Sequence, residues 1–239
     1  MKDQFTGLLS EIAGFYKRWP EGNSVYAGGY EFLYNPESAC RKETKILLMT
    51  INPRAGTEQV TVLTPCPEEH AFWTSEYNMD EQIHNLFKEL KKLVDPHGQG
   101  NEKDFASQHV IASSAVPFRT HNTKQITPDM WRFSRYLWGR VFQVWEPRLV
   151  LALGLDAYEF LEIFWSFKYS ALSETLQKPE KKVSNRWIQF AKPDGQRITL
   201  AGFPHFSRFH AFPKNYTQHS PACSFLREVC ASSLMQQAE

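Results

Sequence analysis

The sequence predicts an α/β fold, specifically a three-layer α/β/α sandwich around a central, mainly parallel sheet of four strands. Short apolar runs predict buried strands, and they alternate with longer segments whose apolar residues recur every three to four positions, as in amphipathic helices. The chain has 239 residues, of which 42% are hydrophobic, which suits one α/β domain with a substantial core. We therefore expect a single domain over residues 1–239.

Apolar runs that stop at turn-forming residues predict the strands of this sheet. The first three predicted strands are residues 45–51, 109–115 and 149–154. Two further runs, Trp187–Phe190 and Arg197–Leu200, flank the turn Pro193-Asp194-Gly195 and predict a hairpin whose second strand continues towards His205.

Helical periodicity predicts five helices between and around these strands. They cover residues 4–18, 79–94, 128–145, 156–164 and 221–235. Asn78 is the expected N-cap of the second helix, and Thr127 that of the third, where Pro128 and Asp129 follow as favourable first-turn residues. Residues 170–186 are polar and charged, so we expect a surface loop there.

Composition excludes several classes of protein. The four cysteines form no C-x-x-C pair and the histidines are scattered, so we expect neither a metal site nor another cofactor. The chain begins without a signal-peptide pattern and has no run long enough to span a membrane, which favours a cytoplasmic protein. The net charge of +1 does not point to a nucleic-acid binder, but it is compatible with a local basic groove.

Three of the predicted strands end in unusual polar or proline-rich segments. These segments are residues 50–56, 113–119 and 204–209. Ligands of open α/β sheets bind beyond the carboxyl ends of the strands. We therefore expect the three loops to meet at one mouth, with Asn52 and His205 facing a common pocket.

The same loops resemble the motifs of the uracil-DNA glycosylase superfamily. Ile51-Asn52-Pro53 resembles the first motif, Gly-x-Asn-Pro-Gly, and His205-Phe206-Ser207 resembles the second, His-Pro-Ser. The nearest pattern is that of the single-strand-selective monofunctional uracil-DNA glycosylases, which also show Tyr-Asn-Pro, Asn-Leu-Cys-Pro and a strand ending in glycine. The corresponding segments here are Tyr34-Asn35-Pro36, Ser114-Ala115-Val116-Pro117 and Leu149–Gly154, so the resemblance covers about residues 26–212.

The resemblance implies a monofunctional DNA glycosylase that flips a pyrimidine out of DNA and hydrolyses its N-glycosidic bond without a cofactor. Departure of the base leaves positive charge on the sugar and negative charge on the base, so the site needs a positioned water and a hydrogen-bond donor. By this analogy the Asn52 amide oxygen orients the water and His205 donates to the base carbonyl. The alternative for Asn52 is a turn residue before proline, and for His205 a strand-end histidine bonded to the backbone.

The resemblance also suggests residues that contact the base and the DNA. The base-contacting candidates are Ile51, Pro53, Arg54 and Ser114, with Phe72, Trp73 or Phe118 stacking on the ring. The DNA-contacting candidates are Phe206, Ser207, Arg208, Phe209 and Arg119. By this resemblance, the rings after His205 form a wedge that enters the duplex and fills the gap left by the flipped base. The alternative is that these rings pack under the last helix.

Three departures from the motifs bear on the choice of base. Thr50 and Arg54 replace glycines of the first motif, and Ser114 replaces the asparagine that reads the uracil edge. A hydroxyl lacks the paired donor and acceptor of an amide. We therefore expect a 5-modified pyrimidine as substrate, for example glucosylated 5-hydroxymethylcytosine of phage DNA, and hence a role in phage defence.

Several other functions fit part of the same pattern. One is ordinary repair of uracil or 5-hydroxymethyluracil, and another is a DNA-binding module of this fold that has lost catalysis. A third is an enzyme of free nucleosides or nucleotides, although the chain has no phosphate-cradling glycine loop. DNA is the expected partner, and no obligate protein partner is evident.

Overall fold

The structure is a computed structural model that describes most of the chain. The described residues are 2–18, 28–35, 39–41, 43–53, 60–62, 70–73, 79–176 and 185–234. Several sequence predictions lie outside these ranges, among them the base contact of Arg54, the helix cap at Asn78 and Pro36 of the Tyr34-Asn35-Pro36 segment.

Eight strands lie within the described residues, numbered here in chain order. They are β1 Gly29–Glu31, β2 Ile46–Thr50, β3 Val60–Val62, β4 Val110–Ser114, β5 Leu149–Leu153, β6 Ser170–Leu176, β7 Arg186–Ala191 and β8 Arg197–Phe203. β1 and β3 form a separate parallel pair. The other six form one sheet in the order β4-β2-β5-β8-β7-β6.

The class and the mainly parallel character of the predicted sheet are confirmed, but its size is not. β4, β2, β5 and β8 are mutually parallel, and β7 and β6 extend the sheet with antiparallel pairings. The sheet therefore has six strands rather than four, because the predicted hairpin adds β7 and residues that we expected in a loop form β6.

Six helices lie in the described part of the chain. They are α1 Lys2–Tyr16, α2 Asp80–Val94, α3 Glu102–His109, α4 Pro128–Val144, α5 Leu155–Ser166 and α6 Pro221–Leu234. Thr127 caps α4 as predicted, since its hydroxyl accepts from the backbone N–H of Met130 at 3.3 Å. α2 follows Met79, which makes no side-chain cap hydrogen bond. No helix of the described ranges has the length and apolarity needed to cross a lipid bilayer.

The side chains of the parallel strands alternate between two hydrophobic clusters. On β2, Leu47 and Met49 join a cluster with residues of α1, α4 and α5. Ile46 and Leu48 join the other cluster, which contains residues of α2, α3 and α6. All five residues of β2, β4 and β5 are buried, as expected for parallel strands covered on both faces.

The prediction of a loop over residues 170–186 was wrong for its first seven residues, which form β6. Its polar sequence resembles a loop because β6 is the last strand of the sheet, paired on one side with β7 only. An edge strand of this kind carries charge and polarity that a central strand does not. Residues 177–184 lie outside the described ranges.

Candidate functional site

A cavity of about 520 Å³ opens at the carboxyl ends of β2, β5 and β8. Its walls include Asn52 after β2, Gly154 after β5 and His205 after β8. The parallel pairings of β2 with β5 and of β5 with β8 bring these three strand ends together. The structure thus places Asn52 and His205 at one cavity, where ligands of such sheets commonly bind.

The orientation of the Asn52 amide follows from its hydrogen bonds. Its Nδ2 donates to the carbonyl oxygen of Pro53 and to Oγ1 of Thr120, both at 2.9 Å. The Thr120 hydroxyl itself donates to the carbonyl of Asn122 at 2.8 Å, so its oxygen is left to accept from Asn52. Both amide protons of Asn52 are therefore engaged by the protein, and Oδ1 remains as the acceptor beside the cavity.

The tautomer of His205 also follows from its hydrogen bonds. The backbone N–H of Ser207 donates to Nδ1 of His205 at 3.3 Å, and the Ser207 hydroxyl lies 2.7 Å from the same atom. A ring nitrogen that accepts carries no proton, so Nε2 holds the proton of the neutral ring. Burial, reinforced by the positive charge of Arg208, lowers the pKa of His205 below its usual value. His205 is therefore a neutral imidazole at neutral pH, with Nε2 as a donor.

Charged side chains surround the two candidate catalytic residues. Asp156 in the first turn of α5, Arg186 at the start of β7 and Arg208 all line the cavity. The guanidinium carbon of Arg186 lies 4.3 Å from the centre of the Tyr158 ring, which holds this cation over an aromatic face. The cavity therefore offers cations for an anionic ligand and acceptors for its hydroxyl or amino groups.

Ser114 does not line this cavity. It is fully buried, its hydroxyl donates to the carbonyl of Glu31 at 3.4 Å, and it lies beside Tyr34, whose own hydroxyl is 3.2 Å from Oγ1 of Thr50. Burial, together with the nearby Glu31 carboxylate, raises the pKa of Tyr34. The predicted base contact of Ser114 is thus replaced by an internal hydroxyl network, because the segment of β1 and Tyr34 covers the end of β4.

The other predicted contacts on this side of the sheet are also buried. Arg119 is 8% exposed and lies outside the cavity walls, next to the Glu31 carboxylate. Asn35 is buried as well, and its Oδ1 accepts from the backbone N–H of Ala112 at 2.6 Å. Tyr34 and Asn35 therefore anchor the chain to β4, which is a structural role for that part of the resemblance.

The aromatic residues that were predicted to contact the base or the DNA divide into core residues and one exposed ring, that of Phe209. Phe118 stacks on Phe15 at 5.5 Å, and Phe72 packs 5.4 Å from Tyr34, so neither is placed to stack on a ligand in the cavity. Phe206 is 1% exposed and packs against Phe203 and Phe212. Its predicted place in a wedge was wrong, because it belongs to the cluster under α6.

Phe209 retains the predicted exposure. It is 40% exposed and lines the cavity together with Ser207 and Arg208. Of the predicted base contacts, Ile51 lines the same cavity, while Pro53 is buried and bonded through its carbonyl to Asn52 and Thr120. The loop after β8 therefore presents one ring and one cation to a ligand, rather than a row of rings.

Sequence reasoning missed several residues of the cavity, among them three polar ones that lie close to the candidate catalytic pair or carry charge. Thr120, Asp156 and Arg186 lie in no motif, and their positions depend on strand order. The available signal for Thr120 was the polar run from Thr120 to Thr123, shortly after the second predicted strand. Asp156 had a comparable signal, since it lies just beyond Gly154, which follows β5.

The remaining findings on the site concern metal ligands and similar proteins. Among the described residues, no group of three or more His, Cys, Asp or Glu side chains is placed to hold a metal ion. The chain matches no protein-family model and no curated protein sequence. The resemblance to uracil-DNA glycosylases therefore remains a prediction from short sequence motifs.

Proposed function

We propose that the protein is a monofunctional DNA glycosylase that hydrolyses the N-glycosidic bond of a flipped pyrimidine. The observation that carries this proposal is the pairing, at one cavity, of a fixed acceptor on Asn52 with a neutral donor on His205. Hydrolysis of a glycosidic bond needs both, since the attacking water must be held and the departing base carries negative charge.

Each residue has a defined task in this mechanism. Oδ1 of Asn52 accepts a hydrogen bond from the water and directs its oxygen towards the sugar carbon that bears the base. As the new C–O bond forms, the C–N bond breaks, the base leaves as an anion, and the proton lost by the water passes to solvent. Nε2 of His205 donates to a carbonyl oxygen of the base as charge develops there. A neutral donor serves this task without protonating the base, and the lowered pKa of His205 keeps the ring neutral.

The strand order supports assigning the water to Asn52 and the base to His205, because it sets a distance between the two residues. β5 lies between β2 and β8 in the sheet. Adjacent strands are about 4.8 Å apart, so the ends of β2 and β8 are separated by about 10 Å. This distance leaves room for a sugar and a base between the water-holding amide and the donor.

We assign a 5-modified pyrimidine as the base, with glucosylated 5-hydroxymethylcytosine as the example to test and phage defence as the corresponding role. Ser114 no longer supports this choice, since it is buried away from the cavity. The support is the cavity itself, whose 520 Å³ falls within the range of about 300–1,000 Å³ for ligand sites and exceeds the needs of a bare pyrimidine. Arg186, Asn122 and Asp156 supply donors and acceptors suited to a hydroxyl-rich substituent.

Three further parts of the proposal concern the layers of the fold, the binding partner and the location of the protein in the cell. We assign the helices that contribute to the two hydrophobic clusters to the outer layers of a three-layer α/β/α sandwich, with the sheet between them. DNA is the proposed partner, with Arg186 and Arg208 as phosphate contacts beside the cavity. A cytoplasmic location also stays part of the proposal.

The test is base release from defined oligonucleotides. Matched strands carry uracil, 5-hydroxymethyluracil, 5-hydroxymethylcytosine or its glucosylated form, and alkali-labile abasic sites are measured after incubation. We expect release of a 5-modified base, with Asn52→Ala and His205→Ala as inactive controls. Release of plain uracil with no gain from any 5-substituent would assign the protein to ordinary repair.

Two other outcomes would overturn the glycosylase proposal. Binding of the oligonucleotides without release of any base would indicate a DNA-binding module. Cleavage of free nucleosides in place of DNA would indicate a nucleoside hydrolase.

A further inference from the structure

The candidate catalytic cavity extends past His205 to a fourth strand of the sheet. Arg186 begins β7 and pairs with Gly202, near the carboxyl end of β8, and it lines the cavity together with His205. The four neighbouring strands β2, β5, β8 and β7 thus each bring one residue to the cavity, namely Asn52, Gly154, His205 and Arg186. Adjacent strands are about 4.8 Å apart, so β7 lies about 14 Å from β2, beyond the strand of His205.

The guanidinium of Arg186 is held by the residues beneath it. Its central carbon lies 4.3 Å from the centre of the Tyr158 ring, which is fully buried. This ring packs directly on β8 because Gly202 has no side chain, and a Cβ there would lie 2.6 Å from Cδ2 of Tyr158. Only 20% of the Arg186 side chain is exposed. Arg186 is therefore a cation of fixed orientation in the wall of the cavity, not a mobile surface charge.

Carboxylates accompany this cation and determine which ligand suits it. Glu159 lies 3.5 Å from Nη2 of Arg186, and Asp156, in the first turn of α5, lines the same cavity. A guanidinium has five N–H donors, so the contact with Glu159 leaves donors for a ligand. A phosphate would meet the negative charge of both carboxylates, whereas a hydroxyl can accept from Arg186 and donate to Asp156. This end of the cavity therefore suits a neutral, hydroxyl-rich group better than an anion.

We infer that Arg186 and Asp156 form a subsite for a neutral sugar attached to the 5-position of the base, and that Arg186 selects the base through it. The inference rests on the proposed function, which puts the deoxyribose beside Asn52 and the base beside His205. The phosphates are attached to the deoxyribose, so the end of the cavity at Arg186 is left to the base and its substituent. Of the two contacts proposed above for Arg186, the geometry therefore favours the substituent over a phosphate.

Equilibrium binding to the Asn52→Ala protein tests the subsite without relying on base release. The ligands are labelled single-stranded oligonucleotides that differ at one position, which carries cytosine, 5-hydroxymethylcytosine, its glucosylated form or 5-carboxycytosine. We expect the glucosylated oligonucleotide to bind about tenfold or more tighter than the cytosine oligonucleotide, as for one hydrogen bond to a charged group. Tightest binding of the 5-carboxycytosine oligonucleotide would overturn the inference, because the subsite would then prefer an anion.

Two changes at Arg186, made in the same Asn52→Ala background, separate a substituent contact from a phosphate contact. Arg186→Gln should remove about tenfold or more of the preference for the glucosylated oligonucleotide, while affinity for the cytosine oligonucleotide and its salt dependence stay the same. Arg186→Lys keeps the charge but loses the planar fork, so it should also lose most of the preference. Arg132→Gln is the matched control, because Arg132 is exposed and lies outside this cavity.

Two binding results would refute the subsite. One is equal affinity of the Asn52→Ala protein for the glucosylated and cytosine oligonucleotides. The other is an equal loss of affinity for every oligonucleotide in Arg186→Gln, with a salt slope smaller by about 0.7, which would make Arg186 a phosphate contact. Thermal unfolding of each variant shows that these losses are measured on folded protein.

Base release by the wild-type protein tests the proposed function separately. A protein that releases no base but keeps the Arg186-dependent preference would refute the glycosylase and leave the binding result standing. Release of the glucosylated base that is equally fast in the wild type and in Arg186→Gln would refute the subsite and leave the proposed function standing.

Discussion

Replacing Thr120 with valine tests whether the Asn52 amide is oriented by its surroundings. Thr120 is 2% exposed, and its hydroxyl accepts from Nδ2 of Asn52 at 2.9 Å while donating to the carbonyl of Asn122 at 2.8 Å. Valine keeps the shape of the side chain but presents a methyl group to the amide. The amide then has one protein acceptor, Pro53, in place of two.

The size of the effect follows from the cost of an unsatisfied donor. A buried polar group without a partner costs about 1–3 kcal/mol, which favours rotation of the amide away from its present orientation. Since about 1.4 kcal/mol corresponds to a factor of ten, base release should slow by about 5- to 100-fold. Loss of two hydrogen bonds of about 0.5–1.5 kcal/mol each should also lower the free energy of unfolding by about 1–3 kcal/mol.

The assay is single-turnover base release at 25 °C with enzyme in excess over substrate, which reports the chemical step. Thr120→Ser is the matched control, because it keeps the hydroxyl and should stay within about threefold of the wild-type rate. Thermal unfolding of both variants shows that the comparison is made on folded protein. A Thr120→Val enzyme as fast as the wild type, beside an Asn52→Ala enzyme that is slow, would refute the orienting role.

Three other predictions concern this cavity and the loop that follows β8. Asn52→Ala and His205→Ala should each lower base release about 10²-fold or more while the melting temperature stays within a few degrees, and full activity of both would remove the mechanism. Arg208→Gln removes a positive charge that lowers the pKa of His205, so this pKa should rise and the acid limb of the pH–rate profile should move to higher pH; an unchanged limb would contradict the assignment. Phe206→Ala should lower the free energy of unfolding by about 3–5 kcal/mol and should affect activity on duplex and single-stranded substrates equally. A loss of activity confined to duplex DNA would instead support the predicted role of Phe206 in a wedge.

The predicted strands and helices with strong periodicity were confirmed, and the elements without it were missed. Residues 149–153 are apolar throughout and form β5, and Thr127 caps α4. α3 is short and polar, and its main local signal is the capping box between Asn101 and Asp104. β6 has no apolar face in its sequence, so its pairing with β7 was needed to identify it.

The burial of individual side chains was harder to predict from the sequence than the positions of the helices and strands. Phe118 and Phe206 stand in loops that resemble glycosylase motifs, yet both are in the core. Phe118 is covered by Phe15, about 100 positions earlier in the chain, and Phe206 by Phe212 beneath α6. Burial of this kind depends on how separate elements pack together, whereas Asn52 and His205 follow strands whose ends the sequence already indicated.

Gly154 has no side-chain functional group, yet the proposed mechanism depends on it. Gly154 directly follows β5, the strand that lies between those of Asn52 and His205, and it has φ +106°, a conformation that other residues avoid. A Cβ at this position would lie 3.3 Å from Cδ2 of His205 and would enter the space between the two catalytic candidates. The glycine therefore keeps the middle of the cavity open, where the proposed mechanism puts the sugar and base. The strand-end glycine of the motif pattern thus has a physical reason that the sequence alone did not provide.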